Sequence, residues 1–203
     1  LFVLFFSFLT NHFNMRNTFL ILFLILTACQ SNSGFIIKGQ LPDKTYDGEV
    51  IYLVPLENAI KERVDSATIR DGKFHFQGET KKSEIYIIRA KPILRFRLEE
   101  LLVVREPGEV IVTIGTNSSA SGTALNDSLQ HWKEKKKIFD SLNDGLVNRL
   151  RIADESEKFA LNQKADSLSK FAKDFHSKFV ENNKNNIVGK FVEKIMASSF
   201  SRE

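Results

Sequence analysis

The chain has 203 residues and one cysteine, Cys29. A lone thiol forms no internal disulfide, no Cys-x-x-Cys redox pair and no cysteine-rich zinc site, so the fold must hold without covalent staples. Histidine is equally sparse. His12, His75, His131 and His176 show no His-x-His or His-Glu-x-x-His spacing, and the last three are expected to face solvent, His75 from a strand between Phe74 and Phe76 and the others from separate helices. No metal site is expected. Gly-x-Ser-x-Gly elbows and glycine-rich phosphate loops are also missing. Ser66 beside Asp65 has no positioned base and reads as a turn, while Glu99 and Glu100, adjacent on an expected strand, point to opposite faces and cannot work as an acid and base pair. The expectation is therefore no catalytic residue and no cofactor. A dominant charge of one sign is lacking as well. The net charge is +4, and removing residues 1–28 takes only Arg16, leaving 28 basic residues against 25 acidic. An excess of that size gives no reason to expect nucleic acid.

Long apolar runs are confined to the N-terminal stretch. From Met15, the order is a basic start (Met15-Arg16-Asn17), an apolar run (Thr18 to Leu26) and then Leu26-Thr27-Ala28-Cys29. This is the layout of a secretory signal. Its end resembles the bacterial lipobox, in which the chain is cut after a small residue, here Ala28, and the next cysteine, here Cys29, carries the lipid and becomes the new N-terminus. Two other readings compete. A membrane-spanning helix needs about 20 apolar residues, more than the run before Cys29 supplies. Joining that run to Leu1–Leu9 buries Arg16 at roughly 2.5–3.5 kcal/mol. The remaining reading is a buried core segment. With lipidation, two or three acyl chains at about 0.8 kcal/mol per buried methylene hold the protein at a membrane. No aspartate follows Cys29, so the expected place is the outer membrane, facing the periplasm. The leucine at position 1 and the methionine at 15 suggest that translation starts at Met15, with residues 1–14 upstream of it.

After a small polar linker (residues 29–34 with the lipidated cysteine), β-type alternation predicts strands at Phe35–Gln40, Glu49–Pro55, Ala67–Arg70, Lys73–Gln77, Glu84–Ala90, Ile93–Leu98, Leu101–Arg105 and Glu109–Gly115. Turn chemistry separates them at Pro42-Asp43, Tyr46-Asp47-Gly48, Asp71-Gly72, Gln77-Gly78 and Glu106-Pro107-Gly108, with Asp71-Gly72 the clearest hairpin signal. Seven or eight short strands at this spacing predict an antiparallel β-sandwich over residues 35–120. The alternating aromatics Phe35, Tyr46, Tyr52, Phe74, Phe76, Tyr86 and Phe96 are expected to fill its core.

A helical region is predicted over residues 121–203. Ser118 to Thr123 reads as a loop whose last hydroxyls cap a first helix bearing Leu125, Leu129, Trp132, Phe139 and Leu142. A second helix runs from about Ala153 to Asn182, with Leu161, Ala165, Leu168, Ala172, Phe175 and Phe179 on one stripe. Asn182 to Asn186 breaks it, and Ile187–Met196 begins a third. The stripe is expected to pack within the fold, with docking of a partner helix as the other use. The Lys133–Lys137 run is expected to be a solvated helix face.

The stretches "FIIKGQL", "GEVIYLVPL", "DSATIRDGKFHFQGET", "LLVVREPGEVIVTI" and "SGTALNDSL" resemble the Bacteroidetes domain of unknown function numbered 4369, over about residues 35–135. The telling pieces are Asp65-Ser66, Asp71-Gly72-Lys73-Phe74, Gly78, Glu106-Pro107-Gly108 and Ser121-Gly122-Thr123 with Asn126-Asp127. The resemblance implies an accessory β-sandwich that commonly follows a lipobox and precedes a thioredoxin-like domain, and it carries no catalytic residue. No Trp-Cys-x-x-Cys occurs in this chain. Two functions are therefore expected: a non-enzymatic, lipid-anchored envelope protein that engages an envelope partner, or the N-terminal part of a thioredoxin-like thiol-disulfide oxidoreductase.

Overall fold

The computed structural model describes residues 33–90 and 101–200. Eight strands in two sheets are followed by three helices: β1 (Gly34–Gln40), β2 (Val50–Pro55), β3 (Asp65–Thr68), β4 (Lys73–Glu79), β5 (Glu84–Ala90), β6 (Leu101–Arg105), β7 (Gly108–Thr113), β8 (Ser119–Ser121), α1 (Ala124–Leu150), α2 (Glu155–Asn183) and α3 (Ile187–Phe200). One sheet has the order β4-β1-β7-β8 and the other β3-β2-β5-β6. The fold is mixed and β-rich, a β-sandwich with C-terminal helices. The expected strand at Ile93–Leu98 lies outside the described residues, as do Phe96, Glu99 and Glu100.

Alternation explains the first sheet. In β1, β4 and β7 the buried side chains Phe35, Ile37, Phe74, Phe76, Val110 and Val112 alternate with exposed or half-exposed ones, so one face meets the core and the other water. His75 faces out, as its position between Phe74 and Phe76 requires. In the second sheet the alternation fails at Ile85-Tyr86 and Val103-Val104, where consecutive side chains are buried. Tyr86 and Val103 join the sandwich core with Ile51, Leu53 and Ile88. Ile85 and Val104 point the other way, into a second core with Leu129, Trp132, Phe179, Val188 and Val192 from the helices. Three layers result: sheet, sheet, helices.

Several local expectations change. The β1·β7 ladder is parallel, with Phe35 opposite Gly108 and Gln40 opposite Thr113, while the other described ladders are antiparallel. Hairpins force antiparallel pairing only between chain neighbours, and the chain visits the other sheet between β1 and β7. Asp65 and Ser66 are not a turn. They pair with Leu53 and Tyr52 in β3, an edge strand whose free side tolerates polar side chains. Gln77-Gly78 lies within β4, paired with Ile36 and Phe35. Gly34, expected in the linker, opens β1. Ser119–Ser121 forms β8 because Ala120 fills the core opposite Val112. The Asp71-Gly72 turn has both residues at positive φ, 53° and 66°, the combination a two-residue type I′ turn demands. Asp47 steadies it by accepting bonds from the Asp71 and Gly72 amides at 2.9 and 2.8 Å. Of the expected core aromatics, Phe35, Phe74, Phe76 and Tyr86 are buried and Tyr46 packs at the margin, but Tyr52 lies half-buried on the outer face.

Candidate functional site

Ala28 and Cys29, the expected cleavage and lipidation residues, lie outside the described residues. Among those described, no group of three or more His, Cys, Asp or Glu side chains is placed to hold a metal. The histidines stay apart, but His176 corrects the sequence reading. It is buried, and its Nδ1 accepts a hydrogen bond from Trp132 Nε1 at 3.1 Å within a cluster of Trp132, Phe139 and Phe175 rings. Burial pushes its pKa down, and the Lys136 charge adds to this against the opposing pull of Asp140. His131, although exposed, rests its ring near Phe175, with centroids 5.9 Å apart.

The hydroxyl cap expected for α1 is also corrected. Thr123 occupies the cap position, yet its side chain accepts nothing from the first-turn backbone N–H groups, only from Asn126 Nδ2 at 2.9 Å. Its hydroxyl instead donates to Glu106 Oε1 at 2.6 Å. The same carboxylate oxygen accepts from the amides of Leu125 and Asn126 at 3.0 and 3.2 Å. A buried carboxylate from the turn between the sheets therefore does the capping, where the positive end of the helix dipole favours it. Asn126, 1% exposed, uses its amide like a strand neighbour: Oδ1 accepts from Val104 N at 2.8 Å and Nδ2 donates to Val104 O at 2.7 Å. Gly122 N donates to Asp127 Oδ1 at 2.9 Å. Pieces of sequence far apart in the chain, Glu106-Pro107-Gly108 and Gly122-Thr123 with Asn126-Asp127, thus build one joint between sandwich and helices.

The lysine run is only partly solvated. Lys136 pairs with Asp140 at 2.6 Å and Lys137 donates to Asn117 Oδ1 at 2.7 Å. Lys133 turns inward and donates to Leu102 O at 3.3 Å, and burial pulls its pKa down to about 8 against the small opposing effect of Glu134.

A groove of about 820 Å³ opens where the end of β2 and the start of β5 meet α3. Its apolar lining is Pro55, Ile85, Ile187, Phe191 and Ile195, joined by the exposed side chain of Leu56. Ile85 reaches it because the first residues of β5 alternate past Glu84, and the α3 residues recur with helical period. Its rim carries four cations, Arg63, Lys82, Lys190 and Lys194, and two carboxylates, Glu57 and Glu84. Both carboxylates are already engaged. Glu84 meets Arg63 at 2.9 Å, Arg105 at 3.0 Å and Lys82 at 3.1 Å. Burial pushes its pKa up, but the Lys82 hydrogen bond and the three positive charges outweigh that and hold the carboxyl below the ordinary range. Arg105 is fixed from behind, its guanidinium 4.4 Å from the Tyr86 ring centroid and 5.4 Å from that of Phe35. Glu57 pairs with Lys194 at 2.8 Å, which lowers its pKa through the hydrogen bond and the charge. Lys190 has no ion-pair partner among the described residues. Sequence reasoning missed this site, because its residues come from four separate stretches and none forms a motif.

The architecture is that of a β-sandwich with a helical layer. Residues 35–129 match the family described as Domain of unknown function (DUF4369), so the resemblance drawn from the strand motifs holds from β1 to the second turn of α1. The matched segment contains both sheets and the whole Glu106 to Asn126 joint. No curated protein and no solved structure matches the chain.

Proposed function

We propose that the protein is a non-enzymatic, lipid-anchored envelope protein in which the sandwich and its helical layer serve as an accessory module for an envelope partner. The observation that carries this reading is how the buried polar side chains are spent. Glu106 caps α1, Asn126 bonds Val104, His176 accepts from Trp132, and Thr80 Oγ1 donates to Lys82 O at 2.7 Å. Each serves the fold, whereas a catalytic site holds polar groups in reserve for substrate. Among the described residues the buried side-chain atoms without a hydrogen-bond partner are the Tyr86 hydroxyl and Arg105 Nε, and the Arg105 guanidinium is already held by Glu84. The tether rests on Leu26-Thr27-Ala28-Cys29, which stands five residues before β1. The outer membrane, periplasmic side, is the proposed location.

The test is the intact mass of the protein extracted from the membranes of its own host. A mass matching lipidated Cys29 through Glu203 supports the reading, and Cys29→Ser should then leave an unlipidated precursor with an unchanged far-UV spectrum. Release of the wild-type chain without detergent, or its recovery without acyl groups, refutes the anchor. A mass larger by about 100–150 residues, with insulin-reducing activity, selects the thioredoxin-like oxidoreductase instead.

A further inference from the structure

We infer that the groove between β5 and α3 binds a single-chain amphipathic anion, a long acyl chain carrying a carboxylate. The inference stands on the groove alone and does not require the tether. Its volume, about 820 Å³, falls within the range of small-molecule sites, which are mostly apolar with a few placed polar groups. The distribution of those groups defines the ligand. The lining side chains Ile85, Phe191 and Ile195, buried or half-buried, offer no hydrogen bond, which suits methylenes.

Charge selects the head. Both rim carboxylates are held in ion pairs, so neither repels an incoming anion, while Lys190 lacks a partner and Lys82 shares Glu84 with two arginines. Lys82 and Lys194 each keep 76% of their side-chain surface exposed and can swing to a ligand without breaking the core. The first turn of α3, with its positive dipole end, also borders the groove.

A peptide suits the groove less well. β5 is paired on both sides, by β2 and β6, so no free strand edge lines the groove and an extended peptide gains no ladder bonds there.

Photolabelling of the purified full chain tests this, with a dodecanoate bearing a terminal diazirine as the probe. The expected result is adducts on residues 55–57, 85 and 187–195, reduced at least fivefold by excess dodecanoate. The double variant Lys82→Glu with Lys190→Glu should lower labelling at least fivefold, and the matching diazirine alcohol should label these residues at least fivefold less than the acid. Both lysines are exposed, and an unchanged thermal melt confirms that the variant is folded. Equal labelling by acid and alcohol, labelling confined to the exposed side chains Phe159 and Phe171, or an unaffected double variant each overturns the proposal. So does capture of an acidic peptide at the groove that dodecanoate fails to displace.

Discussion

Replacing Glu106 with alanine should uncouple the helical layer from the sandwich. One oxygen of this side chain meets the Thr123 hydroxyl, the Leu125 and Asn126 amides and, at 3.3 Å, Asn126 Nδ2. Loss of a helix cap costs about 1 kcal/mol. Removing a carboxylate from the positive end of α1 costs about 0.3–1 kcal/mol, and up to about 2 where the site is partly buried. Leaving the buried Asn126 amide without a partner adds about 1–3 kcal/mol. These overlap, so a total of about 3–4 kcal/mol is expected for Glu106→Ala. Glu106→Gln keeps an acceptor of the same shape and should lose only the charge, about 1 kcal/mol. Urea denaturation measures both. Trp132 is the single tryptophan and lies in the core shared by helices and sheet, so its fluorescence reports docking of the helical layer while far-UV circular dichroism reports the whole. In the alanine variant the fluorescence midpoint should fall first. A loss below about 1 kcal/mol, or a glutamine variant as unstable as the alanine one, would refute the capping argument.

Three further outcomes follow from the packing. His176 titrates at a lower pH when folded than its ordinary value of 6.5, so the unfolded chain binds more protons and stability should fall as pH drops below about 6.5, by at most about 1.4 kcal/mol per pH unit for the one site. His176→Gln should flatten that part of the curve; an unchanged slope rules the histidine out as its source. Lys133 is charged in the unfolded chain up to about pH 10.5 but only to about 8 when folded, so stability should rise with pH between those values, and Lys133→Met, which removes the buried charge, should stabilise the protein at pH 7 by about 1–3 kcal/mol in thermal or urea melts. Gly189 lies in α3, where helix propensity alone favours alanine by about 1 kcal/mol, yet an added Cβ falls 2.1 Å from the Asn183 carbonyl oxygen. Gly189→Ala should therefore destabilise by about 1–3 kcal/mol; a raised melting temperature would show that the α2 to α3 turn yields.

Most of the strands were legible because alternation and turn chemistry are local. β1, β2, β4, β5 and β6 fall where period-two patterning puts them, and Asp71-Gly72 turns the chain as its residues dictate. Helical stripes were equally legible. Leu161, Ala165, Leu168, Ala172, Phe175 and Phe179 all face inward to some degree, as do Ile187, Val188, Phe191, Val192 and Ile195. Leu142 departs from its expected stripe and stays 53% exposed. What escaped was every feature that depends on two distant segments meeting. Glu106 reads as one residue of a turn, and nothing local shows that it caps a helix beginning at Ala124. His176 reads as a polar position on a helix until Trp132 supplies the donor that permits its burial.

The amino-acid sequence alone determined the element types, the one-sided character of the first sheet, and the amphipathic faces of the helices, since these follow from side-chain periodicity along a few turns or strands. It also contains the Leu26-Thr27-Ala28-Cys29 stretch on which the expected lipid anchor rests. Tertiary structure decided which sheet the helices cover, the parallel pairing of β1 with β7, and the convergence of Glu84, Arg63, Arg105 and Lys190 around an apolar groove. Those outcomes depend on how buried polar groups find partners and how apolar faces match in space. The physical reason is that such energies attach to pairs of surfaces, and no single stretch of sequence contains both members of a pair.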